Sequence, residues 1–293
     1  MASIIDLIGN TPLIEIKKLN SNPKVKIFAK LEGQNPGGSV KDRPALFMIQ
    51  EALKKGQIKA GDKLIEATSG NTGIALAMIA NLFNLHLTLV MTDDSTTERI
   101  KTMRAFGAEI ILTPASKTIE YSRELAIEMA KKENMLILNQ FSNNSNYISH
   151  YQTTGPEIWR DTEHKITHFV SSMGTTGTIM GTSMYLKEKN PEIQIIGCQP
   201  TDGSKIPGIR KWSPEFLPEI YDPKRVDDIL YVSEQQATEM TRALAIEEGI
   251  FAGMSSGGAC FSAIELAKQL EQGLIVFICC DRGDRYLSSN LYE

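Results

Sequence analysis

Lys63-Leu64-Ile65-Glu66-Ala67-Thr68-Ser69-Gly70-Asn71-Thr72-Gly73 runs from a short apolar strand pattern, through small polar residues, into the start of a helical pattern. A strand that turns straight into a helix is the repeating unit of an α/β protein. Small residues at such a turn expose N–H groups and hydroxyls in one direction, which makes an anion site at the positive end of the helix. Ser, Asn and Thr are also ordinary helix caps, so for this stretch alone the two readings weigh equally.

Outward from that stretch the same alternation repeats. Strand patterns are expected at Val25–Leu31, Lys63–Ala67, Leu85–Met91, Glu109–Thr113, Met135–Leu138, Ile166–Ser171, Ile193–Cys198 and Leu274–Cys279. Helical patterns are expected at Asp42–Lys55, Thr72–Leu82, Thr97–Phe106, Ile119–Lys132, Pro156–Thr162, Thr178–Lys187, Glu234–Glu248 and Gly257–Leu270. Continuous apolar strands joined by helical crossovers imply mostly parallel sheets covered on both faces. That many strands predict two α/β domains. The segment Thr201–Tyr231 carries Pro207, Pro214, Pro218 and Pro223 among charges and reads as a long loop. Ordered loops of that length are often functional.

A second turn of the same kind is Gly174-Thr175-Thr176-Gly177-Thr178, between an apolar run and a helix. It has the geometry of a phosphate cradle. It lacks the lysine of a Walker A loop and the Gly-x-Gly-x-x-Gly fingerprint of a dinucleotide site, so a small terminal phosphate suits it better. A third segment, Asn35-Pro36-Gly37-Gly38-Ser39-Val40-Lys41-Asp42-Arg43, sets Lys41 at the start of a helix after a pair of glycines. Most lysines are solvated surface charges, but a helix N-terminus disfavours a cation and helps lower an amine pKa. A reactive amine, a small-anion cradle and a phosphate cradle together suit one cofactor, pyridoxal 5'-phosphate. Its aldehyde needs a lysine for a Schiff base, and its phosphate needs backbone N–H groups. Ser255-Ser256-Gly257-Gly258 opens another helix, either as a cap or with a hydroxyl facing a ring nitrogen.

Composition bounds the rest. The 293 residues are 42% hydrophobic and 23% charged, which is the profile of a soluble globular chain with a sizeable core. A net charge of -4 without a basic stripe argues against nucleic acid as a partner. The absence of a membrane-length apolar run argues against a membrane, and the N-terminus does not read as a signal peptide. His86, His150, His164 and His168 have no ligand spacing, and neither do Cys198, Cys260, Cys279 and Cys280, so no metal site is expected. A reduced, cytoplasmic setting is the expectation.

Taken together, these segments resemble the cysteine synthase (O-acetylserine sulfhydrylase) family of fold type II pyridoxal-phosphate enzymes. The resemblance begins at Ile8-Gly9-Asn10-Thr11-Pro12-Leu13 and covers nearly the whole chain, with the segments in matching order and spacing. It implies a tryptophan synthase β-like fold with a larger domain of residues 1–34 plus 145–293. A smaller mobile domain, 35–144, carries the lysine and the carboxylate loop. It also implies that Lys41 holds the cofactor, that Asn71 hydrogen-bonds its ring oxygen, that Gly174, Thr175, Thr176, Gly177 and Thr178 hold its phosphate, and that Ser255 meets its pyridine nitrogen. Thr68, Ser69 and Thr72, with Gln140, match the group that grips the substrate α-carboxylate. A homodimer is the family's habit.

Three runs are similar to the B-type branch, which also accepts thiosulfate. They are Pro207 to Trp212, Phe251 to Ser255, and Cys280 to Ser288. Lys211 stands where that branch commonly has an arginine; a lysine keeps the charge and loses the bidentate fork. Arg210 and Lys211 are the candidates to meet a dianionic sulfur donor, with Cys280 lining the same pocket.

The reaction so implied converts O-acetylserine and sulfide, or thiosulfate, to L-cysteine, or S-sulfocysteine, through a bound aminoacrylate. Lys41 serves as general base in that scheme. A serine or threonine dehydratase or a racemase would use the same cofactor, and product analysis separates them. A non-catalytic scaffold is the reading from another class. A-type relatives dock serine acetyltransferase, and an inactive member surviving as such a scaffold would have no need of Lys41; docking of that partner is possible here and not favoured.

Overall fold

The computed structural model describes residues 3–293. In chain order the strands are β1 Leu13–Ile16, β2 Val25–Leu31, β3 Lys63–Ala67, β4 His86–Thr92, β5 Glu109–Thr113, β6 His168–Ser172, β7 Gln194–Pro200, β8 Asp228–Val232 and β9 Gly273–Cys279. The α-helices are α1 Asp42–Lys54, α2 Asn71–Leu82, α3 Thr97–Ala105, α4 Thr118–Glu133, α5 Ser145–Ser149, α6 Gly155–Asp161, α7 Gly177–Lys189, α8 Glu234–Glu248 and α9 Met254–Gln269. A π-helical turn, His150–Thr154, joins α5 to α6.

Two sheets form. One has six strands in the order β1-β2-β9-β6-β7-β8, the other three in the order β3-β4-β5. All pairings are parallel except β1 with β2. The central strands of the larger sheet bury Ile27, Ala29, Phe169, Val170, Ile195, Ile275, Val276 and Phe277 completely. Burial of consecutive residues means that both faces are covered, as the unbroken apolar runs predict. In the smaller sheet Leu64, Leu89 and Met91 pack against α1 and α2. The stretch from Thr72 to Ala80 of α2 is buried on every face. A helix apolar all round belongs inside a protein, and here it lies beneath the Thr68–Asn71 turn.

The start of α1 is pinned to the six-stranded unit by charge. Arg43 is almost fully buried and meets Glu32 and Glu157, each at 2.7 Å. Lys30, with no exposed surface, meets the same Glu157 at 2.8 Å. Burial pushes the Glu157 carboxyl up, but Arg43 and Lys30 overcome this and hold it down at about 2. Breaking one partner of such a cluster leaves an uncompensated buried charge, which costs roughly 3–5 kcal/mol. Lys41 is two residues from Arg43, so its backbone is held by this anchor.

Several expectations need correction. Met135–Leu138 is not a strand; Leu136 makes only an isolated bridge to Leu64. The loop read as Thr201–Tyr231 ends earlier, because its last residues enter β8. Strands β1 and β8, and the helical turns from Ser145 to Thr154, were not anticipated from sequence pattern.

Candidate active site

The loops after β3 and β6 and the end of β9 open into one cavity of about 290 Å³ between the two sheets. It is lined by Lys41, Thr68, Ser69, Asn71, Thr72, Gln140, Gly174, Thr175, Thr176, Thr178, Arg210, Ser255 and Cys280. Segments up to about two hundred and forty residues apart in sequence thus converge on one space. A cleft of about 1390 Å³ opens beside it and shares Ser69, Arg210 and Trp212 with it. Two predicted residues are not in the cavity lining. Gly177 lies behind it, where a side chain would run into Asn146. Lys211 is drawn away instead: its amine meets Asp202 at 2.7 Å and lies over the Tyr231 ring at 5.3 Å. Lys211 thus lies outside the inner cavity but lines the outer cleft together with Arg210, held there by a surface ion pair and an aromatic face.

Lys41 caps the N-terminus of α1. Its flanks are tied to the end of β9: Val40 N–H donates to the Cys280 carbonyl at 2.8 Å, and Ser39 bridges Asp281. Burial pushes the Lys41 amine below the ordinary lysine range, and the nearby Asp281 and Glu32 pull the other way. The largest cause is loss of water. Cys280 is also close, but burial pushes its thiol up to about 12, so at neutral pH it offers no charge.

The phosphate-type loop is built with little slack. Thr176 adopts a left-handed conformation, φ 69°, which is strained for a β-branched residue. A Cβ on Gly174 would come within 2.6 Å of the Gly208 carbonyl oxygen. The first-turn N–H groups of α7 have no intrahelical acceptor. The Thr176 hydroxyl is buried without a partner. Thr178 contacts His150 Nε2 at 3.3 Å, and His150 Nδ1 is paired with Thr154 at 2.8 Å. Burial holds His150 well below the usual histidine range, so it stands neutral behind the loop.

The opposite loop carries Thr72, whose hydroxyl donates to Gln140 Oε1 at 2.7 Å. Asn146 joins the two sides, donating to the Gln140 carbonyl at 2.7 Å and to the Thr175 hydroxyl at 3.2 Å. Sequence reading missed Asn146, which sits in an Asn-rich run that looks like any turn. It also missed Arg99 and Arg123, which line the cavity as well. Burial and the nearby Arg123 charge pull Arg210 down, yet a guanidinium remains protonated. No Asp or Glu is among the residues that line the cavity.

The residues present fit pyridoxal 5'-phosphate. An unpartnered buried hydroxyl and free helix N–H groups suit its phosphate, Lys41 suits its aldehyde, and Ser255 and Asn71 face the space between. Ser255 lies at the start of α9, on the six-stranded side, with its carbonyl accepting from Ser172 at 2.7 Å.

Proteins of similar sequence and fold use the same cofactor. The family model described as pyridoxal-phosphate dependent enzyme matches residues 4–281. Cysteine synthase B of Pseudomonas aeruginosa is 53% identical over 99% of this chain and 97% of its own length. Cysteine synthase B of Escherichia coli is 51% identical over 100% of this chain and 96% of its own. The crystal structure of a cysteine synthase from Entamoeba histolytica superposes with a TM-score of 0.94 at 37% identity, covering 100% of this chain and 90% of that one. The chain thus belongs to the cysteine synthase family of pyridoxal-phosphate dependent enzymes, and pyridoxal 5'-phosphate is its cofactor.

Proposed function

We propose that this chain catalyses β-replacement on O-acetylserine: a sulfur nucleophile takes the place of acetate, giving L-cysteine from sulfide or S-sulfocysteine from thiosulfate. The observation that carries the reading is the half-buried Lys41 amine, facing the Thr68–Thr72 loop and the Gly174–Thr178 loop across one cavity. The bound cofactor supplies an electron sink for charge that develops at the substrate Cα. Lys41 then takes the Cα proton, a task for which a lowered amine pKa is suited. Thr68, Ser69, Thr72 and Gln140 grip the substrate carboxylate, and the Thr72–Gln140 bond orients both groups before substrate arrives. Asn71 meets the ring oxygen, Gly174 to Thr178 the phosphate, and Ser255 the ring nitrogen. A neutral hydroxyl at that nitrogen is a weak proton donor, so it does not favour a long-lived carbanion.

Thiosulfate as an alternative donor is supported by the lining: Arg99, Arg123 and Arg210 are cationic, and no carboxylate lines the cavity. Cys280, as a neutral thiol, could line the donor's path. Residues 35–144 are proposed as the smaller domain that closes over the substrate, against residues 1–34 and 145–293; closure would shield the reacting centre from water. The proposed setting is a homodimer in the cytoplasm, in keeping with four cysteines that are all free.

The test is product analysis of the purified enzyme with O-acetylserine and each sulfur donor. Cysteine with sulfide and S-sulfocysteine with thiosulfate are expected. Pyruvate and ammonia, formed irrespective of donor, would establish a dehydratase instead.

A further inference from the structure

We infer that Asp281 and Arg285 are positioning residues that fix the side-chain amide of Asn71, so that it presents a hydrogen-bond donor to the cofactor. Asn71 opens α2 beside the three-stranded sheet, whereas Asp281 and Arg285 follow β9 of the six-stranded sheet. Asn71 Nδ2 donates to Asp281 Oδ2 at 2.7 Å. Arg285 Nη1 donates to Asn71 Oδ1, and its Nη2 to the Gly37 carbonyl. A guanidinium only donates and a carboxylate only accepts, so the two partners leave the amide a single orientation. Turning it over would set the amide oxygen against the carboxylate and the amide N–H groups against the guanidinium. One of the two Nδ2 hydrogens is used on Asp281. The other is left for the cavity, which Asn71 lines.

The positioning pair is itself held. Asp281 is almost fully buried, and the same Oδ2 accepts from the Tyr286 hydroxyl at 2.7 Å. Arg285 is buried and lies in the fields of Asp42, Asp281 and Asp284. Gly38 adopts φ 80°, and a Cβ there would collide with the Arg285 guanidinium, so this glycine makes room for that side chain. Further contacts tie the same segment to α3: the Arg99 guanidinium lies over the Tyr286 ring at 4.8 Å, and Ser288 donates to Glu98 at 2.7 Å. A group in contact with the cofactor is thus oriented from the opposite sheet, which couples cofactor geometry to the approach of the two units.

This inference rests on the reading that Asn71 meets the cofactor ring, and the test separates the two. The visible absorption maximum of the holoenzyme is compared among wild type, Asn71→Ala, Arg285→Gln and the double variant, with kcat/KM measured alongside and folding checked by circular dichroism. Each single variant is expected to move the band and to lower kcat/KM by about tenfold, the scale of one lost charge-assisted hydrogen bond. In the Asn71→Ala background, Arg285→Gln is expected to add no further band shift, because a positioning residue acts through the group it positions. If Arg285→Gln does not fold, Asp281→Asn, which keeps the shape and loses the charge, is read in the same cycle. A band unmoved by Asn71→Ala overturns the cofactor reading of Asn71 and the inference with it. A band moved by Asn71→Ala but not by the Arg285 or Asp281 variant, or shifts that simply add in the double variant, overturns the positioning role alone.

Discussion

The two strand-to-helix turns that face each other across the cavity are alike in sequence and unlike in packing. In Gly174–Thr178 the backbone is locked: Gly174 lies against Gly208, Gly177 against Asn146, and Thr176 accepts a left-handed conformation. In the Thr68–Thr72 turn, a Cβ on Gly70 would meet only the Thr68 hydroxyl, at 4.0 Å. The glycine is extended, φ -104°, a conformation open to other residues. One turn is a preformed cradle and the other has room to adjust. That difference matches a cofactor that stays and a substrate that comes and goes. Strain of the kind seen at Thr176 costs of order 1–3 kcal/mol and persists only where the surroundings enforce it.

Substitutions in and between the two turns test this difference. The largest effect is expected for Lys41→Ala, which removes the amine between the two turns. Its kcat should fall on the order of 10³-fold, within the usual range for a lost general base, and steady-state turnover measures it. A variant near wild-type activity would remove the chemical reason for the convergence. Gly177→Val comes next: overpacking against Asn146 should weaken cofactor binding about 10-fold or more, whereas Gly70→Ala should leave it within about threefold. Cofactor content after dialysis decides this, and equal losses would erase the contrast. Gln140→Ala should raise KM for O-acetylserine by about 10-fold, the scale of one hydrogen bond to a charged group, with cofactor content unchanged.

The smallest effect is on stability. Glu66, at the end of β3, accepts from the Asn139 N–H at 3.2 Å, and burial pushes its carboxyl up to about 7. The folded form therefore binds a proton between the ordinary carboxylate range and about pH 7 that the unfolded chain has released. Stability from this group is present below pH 4.5 and is lost as pH rises through about 7. Glu66→Gln should gain on wild type in thermal midpoint between pH 5 and pH 8. A constant offset across that range would show that this carboxyl is not raised in the folded protein.

What could be read from sequence follows the range of the forces involved. Strands β4, β6, β7 and β9 bury consecutive residues, so short apolar runs bounded by turn residues mark them, and the turns after β3 and β6 mark the site. Strands β1 and β8 are edge strands, partly exposed; Glu15 interrupts β1, and the apolar run of residues 229–232 in β8 is short and follows a proline-rich stretch, which hides it in the loop. Met135–Leu138 has the composition of a strand and lacks the ladder, which composition does not report. The pairing of Lys211 with Asp202, the place of Arg99 and Arg123 in the cavity lining, and the position of Asn146, Asp281 and Arg285 behind it arise from packing between distant segments. In sequence those residues resemble caps, turns and solvated charges.

The chemistry of the cavity depends on Lys41 as the residue that binds the cofactor. The direct measurement is borohydride reduction of the holoenzyme, proteolysis and mass analysis of the peptides. A pyridoxyl group on Lys41 is the expected result. The same group on another lysine, or on none, would contradict the account.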